Sequence, residues 1–309
     1  MPPLVSVIVP RFNPGDSFRE AVASVLVQTL SDIEVIAIDD TSAEDTGEVL
    51  EDIDDSRLTF VPHPLKRGVT KTLNEGIRRA TGTYIAILNA YDRYHPERFE
   101  YCHEIAETNE AMLLGTGLEL IAEDEGGLPP GTLSWLGEYE RLKAEHLDSE
   151  DLVTTLIAGN LFVTTSNFFC HRSLFDSLGP LSEPHPMDGY DFLLRTLAAY
   201  PEKVHWVKHK LLFYRPQEEE STTPHESLQI LSRWMPHLAT GHRAHERLRA
   251  FSNRVLEVTA KIERESTPEL QSQRQADVES YQQVIRDTEA QLQTLQGRVD
   301  RERSTAGEG

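Results

Sequence analysis

Two hydrophobic periods alternate along residues 4–115. Val5-Ser6-Val7-Ile8-Val9 is a β-branched run of the kind that forms a strand buried on both faces. After the turn Phe12-Asn13-Pro14-Gly15, Ser17 and Glu20 have the spacing of a capping box. Phe18, Ala21, Val22 and Val25 then fall on one helical face. Val35-Ile36-Ala37-Ile38 reads as a second strand ending in Asp39-Asp40, with Ser42 and Asp45 placed to cap a helix carrying Val49 and Leu50. Leu58 to Val61 is a third strand, followed by a helix through Leu73 and Ile77. Tyr84 to Leu88 is a fourth, and Pro96 suits the first turn of a helix containing Phe99, Cys102 and Ile105.

Repeated strand–helix–strand units predict a largely parallel sheet covered on both faces, with ligands bound beyond the carboxyl ends of its strands. Asn13, Asp40 and Asn89 each follow a strand and should gather at that edge. From Glu123 to Asp151 the texture changes, and Asp124-Glu125-Gly126-Gly127 and Pro129-Pro130-Gly131 read as a loop over the site. Regular structure resumes at Phe168 to Cys170, a short helix at Ser173 to Leu178, a helix from Tyr190 to Tyr200, and a last strand at Leu211 to Tyr214.

Leu248, Phe251, Val255, Val258 and Ile262 alternate spacings of 3 and 4. So do Val278, Tyr281, Ile285, Thr288, Leu292, Leu295 and Val299 beyond Pro268. This predicts either a coiled coil, giving a homo-oligomer or a partner-helix contact, or amphipathic helices packed on their own domain. Thr288 in a core position and Gly297 weaken the zipper.

The 309 residues allow two modest domains or one with an extension. A mean hydropathy of -0.43 and the absence of a long apolar run or cationic leader lead to an expected cytoplasmic address, peripheral to the membrane only through partners. Fifty-one acidic against 30 basic residues give a net charge of -21. Such a chain repels nucleic acid and anionic lipid, yet a local cluster of donors can still hold a nucleotide. Cys102 and Cys170 have neither metal-site nor disulfide spacing and read as buried free thiols.

Several motifs occur in a meaningful order. They are Pro10-Arg11-Phe12-Asn13, Asp39-Asp40-Thr41-Ser42, Arg67-Gly68-Val69 with Asn74-Glu75-Gly76-Ile77, and Asn89-Ala90-Tyr91-Asp92 with Pro96. Further on come Arg172-Ser173-Leu174-Phe175 with Leu178-Gly179, Asp188-Gly189-Tyr190-Asp191 with Leu194-Arg195, and Leu212-Phe213-Tyr214-Arg215. Over residues 4–225 this series resembles the family-2, inverting glycosyltransferases of GT-A fold. The fold so implied is an α/β/α Rossmann-like sandwich on a mostly parallel sheet. It would occupy 1–225, with a nucleotide-sugar-binding half at 1–115 and an acceptor and catalytic half at 116–225. A helical extension with heptads follows at 226–309.

The resemblance implies a nucleotide-sugar donor, a UDP-sugar by the match at Asp40, and a glycan, lipid-linked or protein acceptor. Pro10, Phe12, Asn13, Asp39, Asp40, Arg67, Lys71, Asn74 and Asn89 are the nucleotide-binding candidates. Asp40 stands where the family accepts the imide N–H of the base, although Asp39 and Asp40 would serve equally as helix caps without a ligand. Arg67 and Lys71 either meet phosphate or form a solvated helix face.

Two positions depart from the family. Its divalent-cation ligand, for Mg²⁺ or Mn²⁺, falls on Tyr91, and a neutral phenol is a poor ligand for a hard cation. Asp92 is the remaining candidate metal ligand. Arg93, Lys71 or His95 could instead neutralise the diphosphate, or no leaving group is activated. The family's general base falls on Gly189, which leaves Asp188 as the catalytic candidate and Asp191 to orient the helix or a substrate hydroxyl. The family's histidine after Tyr-Arg is replaced by Gln217, with His225 further on. Two functional readings follow: an active transferase, or a degenerate glycosyltransferase-like nucleotide-binding module held in a complex by its C-terminal helices. A dinucleotide-dependent oxidoreductase is disfavoured, because no G-x-G-x-x-G follows the first strand.

Overall fold

The computed structural model describes residues 2–12, 17–40, 50–121, 132–182, 188–217, 224–265, 275 and 278–294. The side chains of 133, 134, 188, 224, 225 and 262–265 lie outside that description. Eight strands form one sheet: β1 (Val5–Arg11), β2 (Ile33–Asp39), β3 (Leu58–Pro62), β4 (Tyr84–Ile87), β5 (Arg93–Tyr94), β6 (Leu113–Leu120), β7 (Phe169–His171) and β8 (Val204–Tyr214). The strand order is β3-β2-β1-β4-β7-β6-β8-β5. β1, β2, β3 and β4 run parallel, two antiparallel steps through β7 restore the same direction at β6, and β8 follows β6 in parallel. Six strands therefore share one carboxyl edge, ending at Arg11, Asp39, Pro62, Ile87, Leu120 and Tyr214. β5 returns antiparallel along β8.

Every residue of β1 and β4 is buried, as a strand covered on both faces requires. The first helices, α1 (Ser17–Leu26), α2 (Val69–Arg79) and α3 (Arg98–Asn109), bury the apolar stripes read from the sequence, including Phe18, Ala21, Val22 and Val25 on α1. Glu20 does not reveal itself as half of a capping box; its carboxylate is ion-paired with Arg93.

Two elements run against the sequence reading. β6 escaped the strand pattern because Gly115 and Gly117 interrupt it, and the packing needs both. A Cβ on Gly115 would sit 2.6 Å from the Phe162 ring, and one on Gly117 would sit 2.6 Å from the Lys208 carbonyl oxygen, where β6 and β8 slip register. Between Glu123 and Asp151, where the sequence reading placed no helix, lies α4 (Thr132–Ser149), whose Trp135, Tyr139 and Leu142 repeat at helical spacing. Asp124-Glu125-Gly126-Gly127 and Pro129-Pro130-Gly131 lie outside the described residues. The remaining helices of this part are α5 (Leu152–Ala158), α6 (Ser173–Leu178) and α7 (Asp188–Ala199).

The chain divides into two compact units: Met1–Lys143 with Leu161–Ser221, and Ala144–Asn160 with Thr222–Gly309. The second unit thus recruits a segment that the sequence assigns to the acceptor half. Its elements are α5, α8 (Pro224–Leu238), α9 (Ala244–Glu265) and α10 (278–294), and α9 packs against both α5 and α8. On α9 the heptad positions Leu248, Phe251, Val255 and Val258 are buried, and on α10 so are Tyr281, Thr288 and Leu292. These faces are covered within a single chain, which is what amphipathic helices packed on their own domain would show. Ile262 has an undescribed side chain, and Leu295 and Val299 lie outside the described residues.

One buried carboxylate ties this unit together. Asp151 Oδ1 accepts from Arg247 at 3.3 Å, Oδ2 accepts from the Thr154 hydroxyl at 2.5 Å, and Arg243 stands 3.6 Å away. Burial pushes the Asp151 carboxyl up, but Thr154 and Arg247 outweigh it and hold the group below its ordinary value. A depressed carboxyl contributes stability above its unfolded pKa and loses it as pH falls through the folded value. Asp151→Asn should therefore cost about 2–3 kcal/mol at pH 7 in urea unfolding. The gap to wild type should stay level down to about pH 5 and close below about pH 4. A gap that is unchanged at pH 2 would assign the loss to packing.

Candidate functional site

The carboxyl ends of β1 and β2 are joined before any side chain is considered. The Asp40 amide donates to the Arg11 carbonyl at 2.8 Å, and the His63 amide donates to that of Asp39 at 2.8 Å. Arg11 and Asp39 are register partners, and Arg11 Nη1 meets Asp39 Oδ2 at 2.8 Å with both side chains buried. Pro10 is buried in β1 and Phe12 is half-buried just beyond it; Asn13 and Ser42 lie outside the described residues.

Asp40 is fully buried and fully used. Its Oδ1 accepts from the Arg67 amide at 2.7 Å and faces His63 Nδ1 at 2.7 Å, while Oδ2 accepts from the Gly68 amide at 2.8 Å. A buried carboxylate needs such donors to offset lost hydration. These hold the turn that leads into α2. On the far side of the ring, His63 Nε2 lies 3.2 Å from Glu75 Oε2, and Glu75 also receives Arg67 at 2.6 Å and Arg79 at 2.9 Å. Burial raises the Glu75 carboxyl, yet Arg79, His63 and Arg67 outweigh it and bring it below the ordinary range. Neither His63 nor Glu75 was singled out from sequence. The only available signal for Glu75 was its i,i+4 spacing to Arg79.

Asn74 donates to the Leu181 carbonyl and accepts from the Leu181 amide, both at 2.9 Å, so it is a strut between α2 and the segment before α7. Lys71 is exposed in the first turn of α2.

Beyond β4, Asn89 is held from the turn at Thr165–Asn167. Its amide N–H donates to Ser166 Oγ at 2.9 Å, and its side chain donates to Thr164 Oγ1 at 3.0 Å. Tyr91 is half-buried next to it. Asp92 is buried, and its Oδ1 accepts the Arg215 amide at 2.9 Å, joining the loop after β4 to the end of β8. Beneath this loop, the Tyr94 hydroxyl is 2.5 Å from the Ile87 carbonyl oxygen and 2.9 Å from that of Ser166, and burial pushes the phenol up.

The donor set around Tyr91 does not fit a hard divalent cation. Tyr91 offers a neutral phenol, Asp92 is turned onto Arg215, and among the described residues no three His, Cys, Asp or Glu side chains converge to hold a metal.

α7 opens at Asp188, whose side chain lies outside the described residues. At Gly189, the aligned base position, a Cβ would lie 2.5 Å from Thr165 Cγ2. Any side chain there has to displace Thr165, so a carboxylate at this position carries a packing cost. Asp191 is buried, accepts from the Ser182 hydroxyl at 2.6 Å and pairs with Arg195 at 3.0 Å. Arg195 in turn donates to the Leu178 and Pro180 carbonyls, so Asp191 anchors the approach to α7. Gln217 donates at 3.4 Å to the Arg215 carbonyl, and the side chain of His225 lies outside the described residues.

With this geometry in place, comparison with known proteins decides the family. The family model "Glycosyl transferase family 2" matches residues 6–179, more than half of the chain. The chain belongs to glycosyltransferase family 2. It is 36% identical over 135 residues to the uncharacterized glycosyltransferase EpsJ of Bacillus subtilis, covering 43% of this chain and 39% of that protein. Among solved structures, S. aureus TarS 1–349 superposes with a TM-score of 0.64 at 14% identity, covering 91% of this chain and 81% of TarS. The mannosyltransferase PcManGT of Pyrobaculum calidifontis, in complex with GDP-Man and Mn²⁺, gives 0.53 at 14% identity, covering 93% of this chain and 84% of that one. These structural likenesses establish the GT-A type of fold, as the motif order implied. The chain spans less than two thirds of the length of three curated relatives that it matches.

The Thr165 contact makes a direct forecast. Gly189→Asp, which restores the family's carboxylate, should lower the midpoint of thermal unfolding by several degrees, for an overpacking cost of about 1–3 kcal/mol. Pairing it with Thr165→Gly should recover most of that loss. Additive losses in the double variant would show that the two positions do not touch.

Proposed function

We propose that this chain transfers a sugar, with inversion, from a UDP-sugar to a hydroxyl of a glycan or lipid-linked acceptor. The observation that carries the reading is the family match over residues 6–179, which takes in Asp39-Asp40 at the end of β2 and the loop after β4, both at one carboxyl edge. TarS, of the same fold, has been solved with UDP-GlcNAc, which supports a uridine donor.

In this reading Asp40 recognises the base. Because the carboxylate is buried, the imide N–H reaches Oδ2 only when the Arg67–Gly68 turn parts from it, and His63 keeps Oδ1 in place meanwhile. Asp188, the first residue of α7, takes the proton as the acceptor oxygen attacks the anomeric carbon. The bond from that carbon to the diphosphate breaks, and its electron pair leaves with the nucleoside diphosphate. Asp191 supports Asp188 by fixing the start of α7 through Ser182 and Arg195.

The crowding at Gly189 and the phenol at Tyr91 favour a second reading, a binding module that holds a nucleotide without turning it over. Nucleotide release from a panel of UDP-sugars separates the two. An active enzyme releases UDP, and Asp188→Asn lowers the rate by about 100-fold or more while leaving UDP affinity unchanged. Tight UDP binding with no release from any donor selects the module. Asp40→Ala should abolish UDP binding, and wild-type affinity in that variant would sink the base-recognition assignment.

A further inference from the structure

The ends of β5 and β8 bring two guanidiniums to one carboxylate. Arg93 Nη2 lies 2.8 Å from Glu20 Oε2, and Arg215 Nη2 lies 3.7 Å from the same oxygen. The arrangement follows from the sheet, because Arg93 is the register partner of Phe213, and Arg215 stands two residues further on, just past the end of β8. Both arginines retain a buried Nε–H with no hydrogen-bond acceptor. The Arg215 side chain is 11% exposed, whereas Glu20, in the first turn of α1, is 41% exposed and is the partner able to swing away. The Arg215 amide is the group that donates to Asp92, so the cluster stands directly beside the loop after β4.

The charges decide what this cluster can take. With Glu20 and Asp92 in place, two carboxylates balance two guanidiniums. A divalent cation entering here meets both arginines at close range and finds Asp92 already engaged. A diphosphate meets the opposite situation: it displaces the exposed Glu20 and inherits two cations with donors to spare. The N-terminal end of α1 adds positive potential on the same side. Guanidiniums suit this task, because their planar forks match phosphate oxygens and stay charged at any working pH.

We propose that Arg93 and Arg215 grip the diphosphate of the nucleotide-sugar donor in place of a divalent cation, with Glu20 a placeholder that the phosphates displace. This rests on the nucleotide-sugar reading above. As the bond between the anomeric carbon and the diphosphate oxygen breaks, the electron pair moves onto that oxygen and its growing charge is met by the two guanidiniums. The acceptor proton leaves to the base, and no further reactant is needed.

Calorimetry on the full chain, with uridine, UMP and UDP in EDTA and again in Mn²⁺, tests the proposal. UDP should bind more tightly than uridine in EDTA, and Mn²⁺ should change that affinity by less than about twofold. Arg215→Gln and Arg93→Gln should each weaken UDP by about tenfold or more and leave uridine unchanged. Glu20→Gln should tighten UDP severalfold. Glutamine variants that bind UDP like wild type, with Mn²⁺ raising the wild-type affinity, would overturn the clasp. Uridine binding without any preference for UDP overturns the clasp alone, whereas failure to bind either ligand overturns the nucleotide reading too. Should Arg215→Gln melt without a cooperative transition, Glu20→Gln carries the test, and unchanged or weaker UDP binding there rejects the proposal.

Discussion

A carboxylate buried at the end of a strand has to be given donors, and Asp40 shows how much structure can hang on that requirement. Two of its donors are backbone amides, from Arg67 and Gly68, so satisfying the charge fixes where α2 begins. The third is His63, whose other nitrogen leads to Glu75 and from there to Arg67 and Arg79. The series runs from carboxylate to imidazole to carboxylate to guanidinium, and each member is oriented by the next. The same residue thus sets the entry to α2 and is the candidate for base recognition, so a change at Asp40 will disturb the turn whatever its effect on a ligand.

The other half of the site depends on a buried cation. Arg98 is fully buried, and among the described residues its hydrogen-bond partners include no carboxylate. It donates to Thr116 Oγ1 at 2.6 Å and to the Asn167 carbonyl at 3.1 Å, with the Tyr94 ring 4.6 Å from its guanidinium carbon. Such a charge costs several kcal/mol to bury and persists only where surrounding dipoles are fixed. Here those dipoles belong to Asn167, whose side chain also bonds to the Thr116 amide and carbonyl, and so to β6. The turn at Thr165–Asn167 is rigid for this reason. Through Thr164 and Ser166 it holds Asn89, and through Thr165 it presses on Gly189.

Legibility in the sequence followed the range of the interactions. β1, β2 and β4 could be read because burial on both faces writes itself as apolar runs, and the half-exposed β3 because its short apolar run follows a turn; the motif order then implied the fold that the family match established. β6 could not, since Gly115 and Gly117 answer to Phe162 and Lys208, far away in sequence. Among the candidate site residues, position at the carboxyl edge was legible for Asp39, Asp40, Asn89 and Asp92, each placed after a strand. Their partners were not: nothing local marks His63 for Asp40, Leu181 for Asn74, or Arg215 for Asp92. Heptad spacing predicted which faces of α9 and α10 are buried and was silent on what buries them.

The phenol of Tyr91 has a physical meaning only together with its surroundings. It offers a cation no negative charge, and the nearest charged neighbours lean the same way. Asp92 has turned its Oδ1 to the Arg215 amide, and Arg93 follows it immediately in the chain. Two guanidiniums here face the carboxylates of Glu20 and Asp92, and a diphosphate can be neutralised either from a metal or from the protein. What cations of the protein's own alter is preorganisation: guanidiniums on β5 and just beyond β8 are in place before a donor arrives, whereas a metal ion would have to be recruited with it.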